Sequence, residues 1–271
     1  MPSEVTAPLT FILLFDTLPE VVPNQLKNHL ALFGPFQSPL RVSQHLAQEG
    51  YLYAVVDFDH HQFRLVGFSL PAPDDAVKLS IDSSHWSRTD KAPLYAHRSH
   101  VLCYYQGRAT DATEQMIAMT IFVSAFSNRG MVGVVDPDAW NCLPTSVLLE
   151  TLTPAILAAH RMTVPLGLWT GFVKFIVDED AVWFCTKGCH RWGICDFAFL
   201  GSPDQFEEVF ILFNVLFHYA QDHQVLLEVG STVSLGRDRL LKLTAVTEYA
   251  EYLEGPMGTL VVQHVSRLEI H

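Results

Sequence analysis

The order of apolar runs after residue 165 constrains this chain more than any other feature. Leu166–Val177, Ala181–Thr186 and Gly193–Leu200 are strand-like runs joined by short polar turns. Gln205–Gln221 then carries apolar residues almost all round a helical repeat, which predicts a buried helix. Val225–Gly236, Leu240–Val246 and Thr259–His264 return to strand-like runs. Strands in blocks around one long helix define an α+β chain with a mostly antiparallel sheet and packed helices.

The first half fits the same class. Leu9–Phe15 is a short apolar run bounded by polar residues, and Tyr51–Phe58 with Phe63–Leu70 flank the turn DHHQ as a hairpin. Leu26, Leu30 and Phe33 recur at helical spacing before Gly34. Pro71–Pro93 reads as a long connection with one short helix. His97–Tyr105 and Met131–Val135 read as strands, and Asp111 with Glu114 opens a helix to Phe126 at capping-box spacing. Thr145–His160 is helical but broken at Pro154, where Thr153 caps the second piece. This order fits two ferredoxin-like halves sharing a sheet. No low-complexity linker divides the chain, so residues 1–271 read as one globular domain with sub-halves 1–135 and 136–271.

Composition excludes several function classes. Seventeen Lys+Arg against 29 Asp+Glu gives a formal net charge of −12. Nucleic acid and anionic membrane surfaces attract clustered positive charge, which this chain lacks. It is 49% hydrophobic and only 17% charged, too apolar for a disordered chain. The surplus apolar surface must enter a core, a partner-binding face or a homo-oligomer interface. The longest apolar runs, Met116–Phe126 and Val209–Ala220, are short of the roughly 20 residues that span a bilayer. The start MPSEVTAPLT has no basic region followed by an apolar stretch, and five cysteines are an odd number. Both point to a cytoplasmic protein with reduced thiols.

Two clusters offer site chemistry. Cys185, Cys189, His190 and Cys195 include soft ligands, although their spacing matches no standard zinc site. The alternative is a hairpin with the loop TKGCHRWG, in which Cys185 and Cys195 are small apolar residues. No metal is favoured and no cofactor is predicted. The second cluster is the loop Gly230–Arg239, whose glycines, with Arg237 and Arg239, suit an anion. A ligand site between the two loops would use Lys187, His190, Trp192, Thr232 and Arg237. His60 and His61 follow Asp57 and Asp59, but adjacent strand residues face opposite ways, so a polar turn is the simpler reading. Glu207, Asn214, His218 and Gln221 fall on one stripe of the long helix; they could line a pocket, and the simpler reading is its solvent edge. No phosphate-binding loop, dinucleotide fingerprint, nucleophile elbow or zinc helix is present, which lowers the expectation of an enzyme.

Several stretches together resemble a known family. They are the opening LLF strand, Pro71–Pro73, Trp86, HRSHVLCYY at His97–Tyr105 and GMVGVV at Gly130–Val135. The most specific are LWTGF at Leu168–Phe172, TKGCHRWGICDFAF at Thr186–Phe199 and GSTVS at Gly230–Ser234. The chain resembles a bacterial domain family of unknown function with the pattern "LWV…TKGL..FG..E.EI…DG.TVG". It departs from the pattern at Trp192, Val229 and Ser234. The resemblance implies no reaction. Some domains of that kind are associated with polymorphic toxins, which implies an immunity or adaptor role. The resulting expectation is a cytosolic protein-binding protein without catalysis, acting on a basic protein partner. The alternative is a small-ligand or metal-binding domain or enzyme.

Overall fold

The structure, a computed structural model, describes residues 8–34, 38–235 and 239–265, and the side chains of all of these except Gln44 and Arg239. The chain forms two compact units, residues 1–82, 86–137 and 141–163 in the first, and residues 83–85, 138–140 and 164–271 in the second. Both combine helices with sheet, so the fold is α+β.

In the first unit, β1 (Thr10–Phe15) is followed by α1 (Pro23–Leu30), β2 (Arg41–Gln48), β3 (Tyr51–Phe58) and β4 (His61–Phe68). Next come α2 (Asp74–Ser83), α3 (Arg88–Tyr95), β5 (Ser99–Tyr105), α4 (Ala112–Ser124), β6 (Met131–Asp136) and β7 (Asn141–Pro144). The helices α5 (Thr145–Glu150) and α6 (Pro154–Met162) close it. The sheet order is β2-β3-β4-β5-β1-β6-β7, and every described pairing is antiparallel. Its centre, β4-β5-β1-β6 with α1 and α4 as connections, has the ferredoxin-like order.

Alternation along β1 explains why this sheet is covered twice. Ile12 and Leu14 pack with Val77 and Ile81 of α2 and Leu94 of α3. Phe15 points the other way, edge-on to Phe126, and Cys103 of β5 meets Met119 of α4 on that side. Phe63 stacks on Phe122 with ring centroids 4.1 Å apart. The Asp111 carboxylate accepts from the backbone N–H groups of Thr113 and Glu114 at 2.7 and 3.1 Å, and so caps α4. Thr153 caps α6 by accepting from Ile156.

The second unit comprises α7 (Leu166–Trp169), β8 (Gly171–Ile176), β9 (Val182–Lys187), β10 (Asp196–Gly201), α8 (Phe206–His223), β11 (Thr232–Leu235), β12 (Arg239–Ala245), α9 (Ala250–Leu253) and β13 (Thr259–Val265). Its sheet order is β11-β12-β13-β10-β9-β8. Two three-strand meanders meet at β10 and β13, which run parallel. This order is not ferredoxin-like, and the units have separate sheets, so the expectation of two such halves sharing a sheet is corrected. One sheet face packs on α8 through Phe172, Phe197 and Phe213. The other buries Trp183, Cys185, Ala198 and Val261 under Leu253 of α9.

Candidate functional site

The sheet order decides the fate of the two-loop site. Lys187 ends β9, and Thr232 begins β11. Strands β10, β13 and β12 lie between them. Four strand spacings of about 4.8 Å separate the two by roughly 19 Å. Lys187 and Thr232 therefore do not meet on one small ligand. Arg237 lies outside the described residues. Trp192 packs edge-on against Phe217 of α8, and His190 is half-buried in the 3-10 turn Cys189–Trp192. Gly188 and Gly193 flank that turn with φ of 97° and 71°, a backbone that favours glycine.

The cysteines are spent on packing and weak hydrogen bonds. Cys185 and Cys189 are buried, and burial pushes their thiols up, Cys185 to about 12. Zinc binds the thiolate, which such surroundings disfavour. The Cys195 thiol donates to the Met257 carbonyl at 3.1 Å. Among the described residues, no group of three or more His, Cys, Asp or Glu stands in a metal-holding arrangement. At the DHHQ turn, the His61 Nδ1 lies 2.9 Å from the Tyr105 hydroxyl. Burial, helped by the neighbouring His60, lowers His61 to about 4.

The densest polar chemistry of the second unit is closed. Lys187 and Asp196 are 3% and 1% exposed. The Lys187 ammonium donates to the carbonyls of Leu253 and Glu254 at 2.8 and 3.0 Å and sits over the Trp140 ring at 4.6 Å. Asp196 Oδ1 accepts from the Thr186 hydroxyl and the Cys189 backbone N–H, both at 3.2 Å. Its Oδ2 is buried without a hydrogen-bond partner among the described residues. Burial pushes the carboxyl up to about 6, against the lowering pull of the Cys189 N–H, Lys187 and Thr186. The segment Leu253–Thr259 straps this centre. Asp196 N–H donates to the Gly258 carbonyl, and the Thr259 hydroxyl donates to that of Leu253. A Cβ on Gly255 would stand 2.2 Å from Asp196 Oδ2, so only glycine lets the strap lie this close.

An open cleft of the unit lies along α8. The helix buries Val209, Leu212, Phe213, Leu216, Phe217 and Ala220. It exposes Ile211, Val215 and Tyr219, at 55%, 43% and 39%, one helical turn apart. Of the predicted edge, Glu207 is exposed and lines that cleft, while Asn214, His218 and Gln221 are half-buried, and the Asn214 amide donates to the Phe210 carbonyl. A cleft of ≈ 970 Å³ runs beside the exposed stripe. Ile211, Leu212, Val215 and Leu235 give it an apolar lining, and Asp204, Glu207 and Glu208 give it an acidic one. Sequence reasoning missed this surface, although Ile211, Val215 and Tyr219 at spacings of four were a readable signal.

No protein-family model matches the chain, and no curated protein or solved structure is significantly similar to it.

Proposed function

We propose that the chain is a cytoplasmic protein-binding protein without catalysis, whose α8 cleft takes an apolar, positively charged segment of a protein partner. The observation that carries this reading is the exposed Ile211–Val215 stripe beside three carboxylates. Burying that stripe supplies the apolar driving force, about 25 cal/mol per Å² removed from water. The carboxylates and the net charge of −12 attract a basic partner and repel an acidic one. An immunity-type role, in which the partner is a basic toxin, is the specific form implied by the resemblance of TKGCHRWGICDFAF and LWTGF.

The test is a calorimetric titration with an amphipathic Leu/Lys peptide and with its Leu/Glu counterpart. The Leu/Lys peptide is expected to bind, more weakly as salt rises. Substituting Ile211→Lys and Val215→Lys together is expected to abolish that binding. Equal affinity for both peptides, or no effect of the double substitution, contradicts the reading.

A further inference from the structure

Each sheet has two edge strands among the described residues, β2 and β7 in the first unit and β11 and β8 in the second. Natural proteins keep an edge from pairing with another chain by making it short or by placing Pro or Lys on it. β7 is four residues long and ends at Pro144, β11 is four residues long, and β8 exposes Lys174 in mid-strand. β2 has none of these guards. It runs for eight residues, RVSQHLAQ, and its one Arg, Lys, Asp or Glu is Arg41 at the start. Leu46 is 44% exposed, and Arg41, Ser43, His45, Ala47 and Gln48 are exposed as well, so the strand is open on both faces.

One bulge limits the part of β2 that can pair outwards. Val42 pairs with Val56 and Gln44 with Val55 of β3, which leaves Ser43 extra. From Gln44 to Gln48 the strand pairs step by step with Val55 to Tyr51. Leu46 is the centre of this regular stretch. The stretch itself carries no Lys, Arg, Asp or Glu, but its flanks are charged with opposite signs, Arg41 before it and Glu49 after it. Both side chains are exposed and form no ion pair among the described residues.

We propose that β2 is the contact of a two-fold dimer of this chain, in which the first-unit sheets of two copies join edge to edge. A second copy adds its own β2 antiparallel across the axis, so one strand supplies both sides of the contact. An axis through Leu46 keeps all five regular residues paired. Leu46 then faces its own copy, His45 faces Ala47, and Gln44 faces Gln48. Counted from that centre, Glu49 of one copy is diagonal to Arg41 of the other, at about 7–8 Å, which long side chains span. A basic partner of the kind proposed for α8 finds no carboxylate within this stretch, whereas a second copy finds its charges matched at both ends. The main-chain groups of the open edge supply the affinity, as in other added strands.

The test is sedimentation velocity of the whole chain from about 1 to 100 μM, because small interfaces are weak and this one should dissociate in the micromolar range. Leu46→Lys, at an exposed position, sets two ammonium groups opposite each other at the axis and is expected to weaken the dimer about tenfold or more. Arg41→Glu is expected to weaken it about threefold, and Arg41→Glu with Glu49→Arg to restore it. The Ile211→Lys, Val215→Lys double substitution is expected to leave it unchanged. A monomer at about 100 μM overturns the proposal, whatever the α8 cleft binds. A dimer that survives Leu46→Lys, or one lost in the α8 double variant, overturns β2 as the contact. Failure of the charge exchange to restore the dimer overturns the axis through Leu46.

Discussion

The Lys187–Asp196 centre and the α8 cleft belong to the same unit and use opposite chemistry. The first gathers an ammonium, a carboxylate, two thiols and a hydroxyl, and shuts them beneath a glycine strap. The second has little reactive chemistry and lies open, with apolar side chains exposed beside carboxylates. The contrast teaches that the densest polar residues of this unit are the least accessible ones. A buried charge must be matched where it sits or the fold suffers, so the centre belongs to stability. An exposed apolar stripe contributes nothing to the fold it leaves uncovered, so the cleft is the surface on which the proposed recognition rests.

Removing the cation should break the centre most severely. Lys187→Met takes the donor from two backbone carbonyls and removes a positive charge that holds the Asp196 carboxyl down. Leaving a buried acceptor without its donor costs about 1–3 kcal/mol each. The urea midpoint should fall accordingly, with the slope unchanged. A loss below about 1 kcal/mol, the worth of an exposed pair, would mean that the strap is not held there.

The pH dependence sharpens the same point. Asp196 rises from 3.8 to about 6 on folding. Its stabilisation is complete below pH 3.8 and is lost as pH rises through 6. The difference is worth about 3 kcal/mol at 1.36 kcal/mol per pH unit. His61 has the opposite sign: lowered to about 4, it stabilises above pH 6.5 and loses that contribution as pH falls through 4. Stability of the wild type minus that of Asp196→Asn should therefore fall between about pH 4 and 6 and be flat above. A flat difference throughout would show that Asp196 is solvated.

The cleft should respond in the reverse way. The Ile211→Lys, Val215→Lys double substitution should weaken the Leu/Lys peptide more than tenfold. Stability should stay within about 0.5 kcal/mol per site, as for exposed positions. The smallest effect belongs to the exposed ion pair of Arg161 with Glu114, whose side chains are 46% and 38% exposed. Arg161→Ala should cost less than about 1 kcal/mol in thermal unfolding. A larger loss would mean that surface charge supports this fold as much as buried charge.

Local signals in the sequence located much of the fold. The hairpin β3–β4, the Asp111 cap, the break at Pro154 and the length of α8 follow from alternation, capping chemistry and periodicity. Strand β2, RVSQHLAQ, did not, because nearly all its described side chains are at least partly exposed and only its pairing with β3 makes it a strand. Helices α2 and α3 hid in Pro71–Pro93, where Pro93 sits inside a helix. Val225–Gly230 is largely apolar yet forms a connection before β11. The candidate site was less legible. That β13 slots between β10 and β12, parting Lys187 from Thr232, is a long-range fact of pairing. Periodicity likewise marks α8 as apolar without saying which stripe the sheet leaves uncovered.

The most direct test of the central claim is amide hydrogen exchange of the whole chain with and without the saturating Leu/Lys peptide. The account predicts slowed exchange in the first turns of α8 and in β11, with Thr186–Phe197 and Leu253–Thr259 unchanged. Slowed exchange at Leu253–Thr259 with none at α8 would contradict it, and would make the closed centre the binding site.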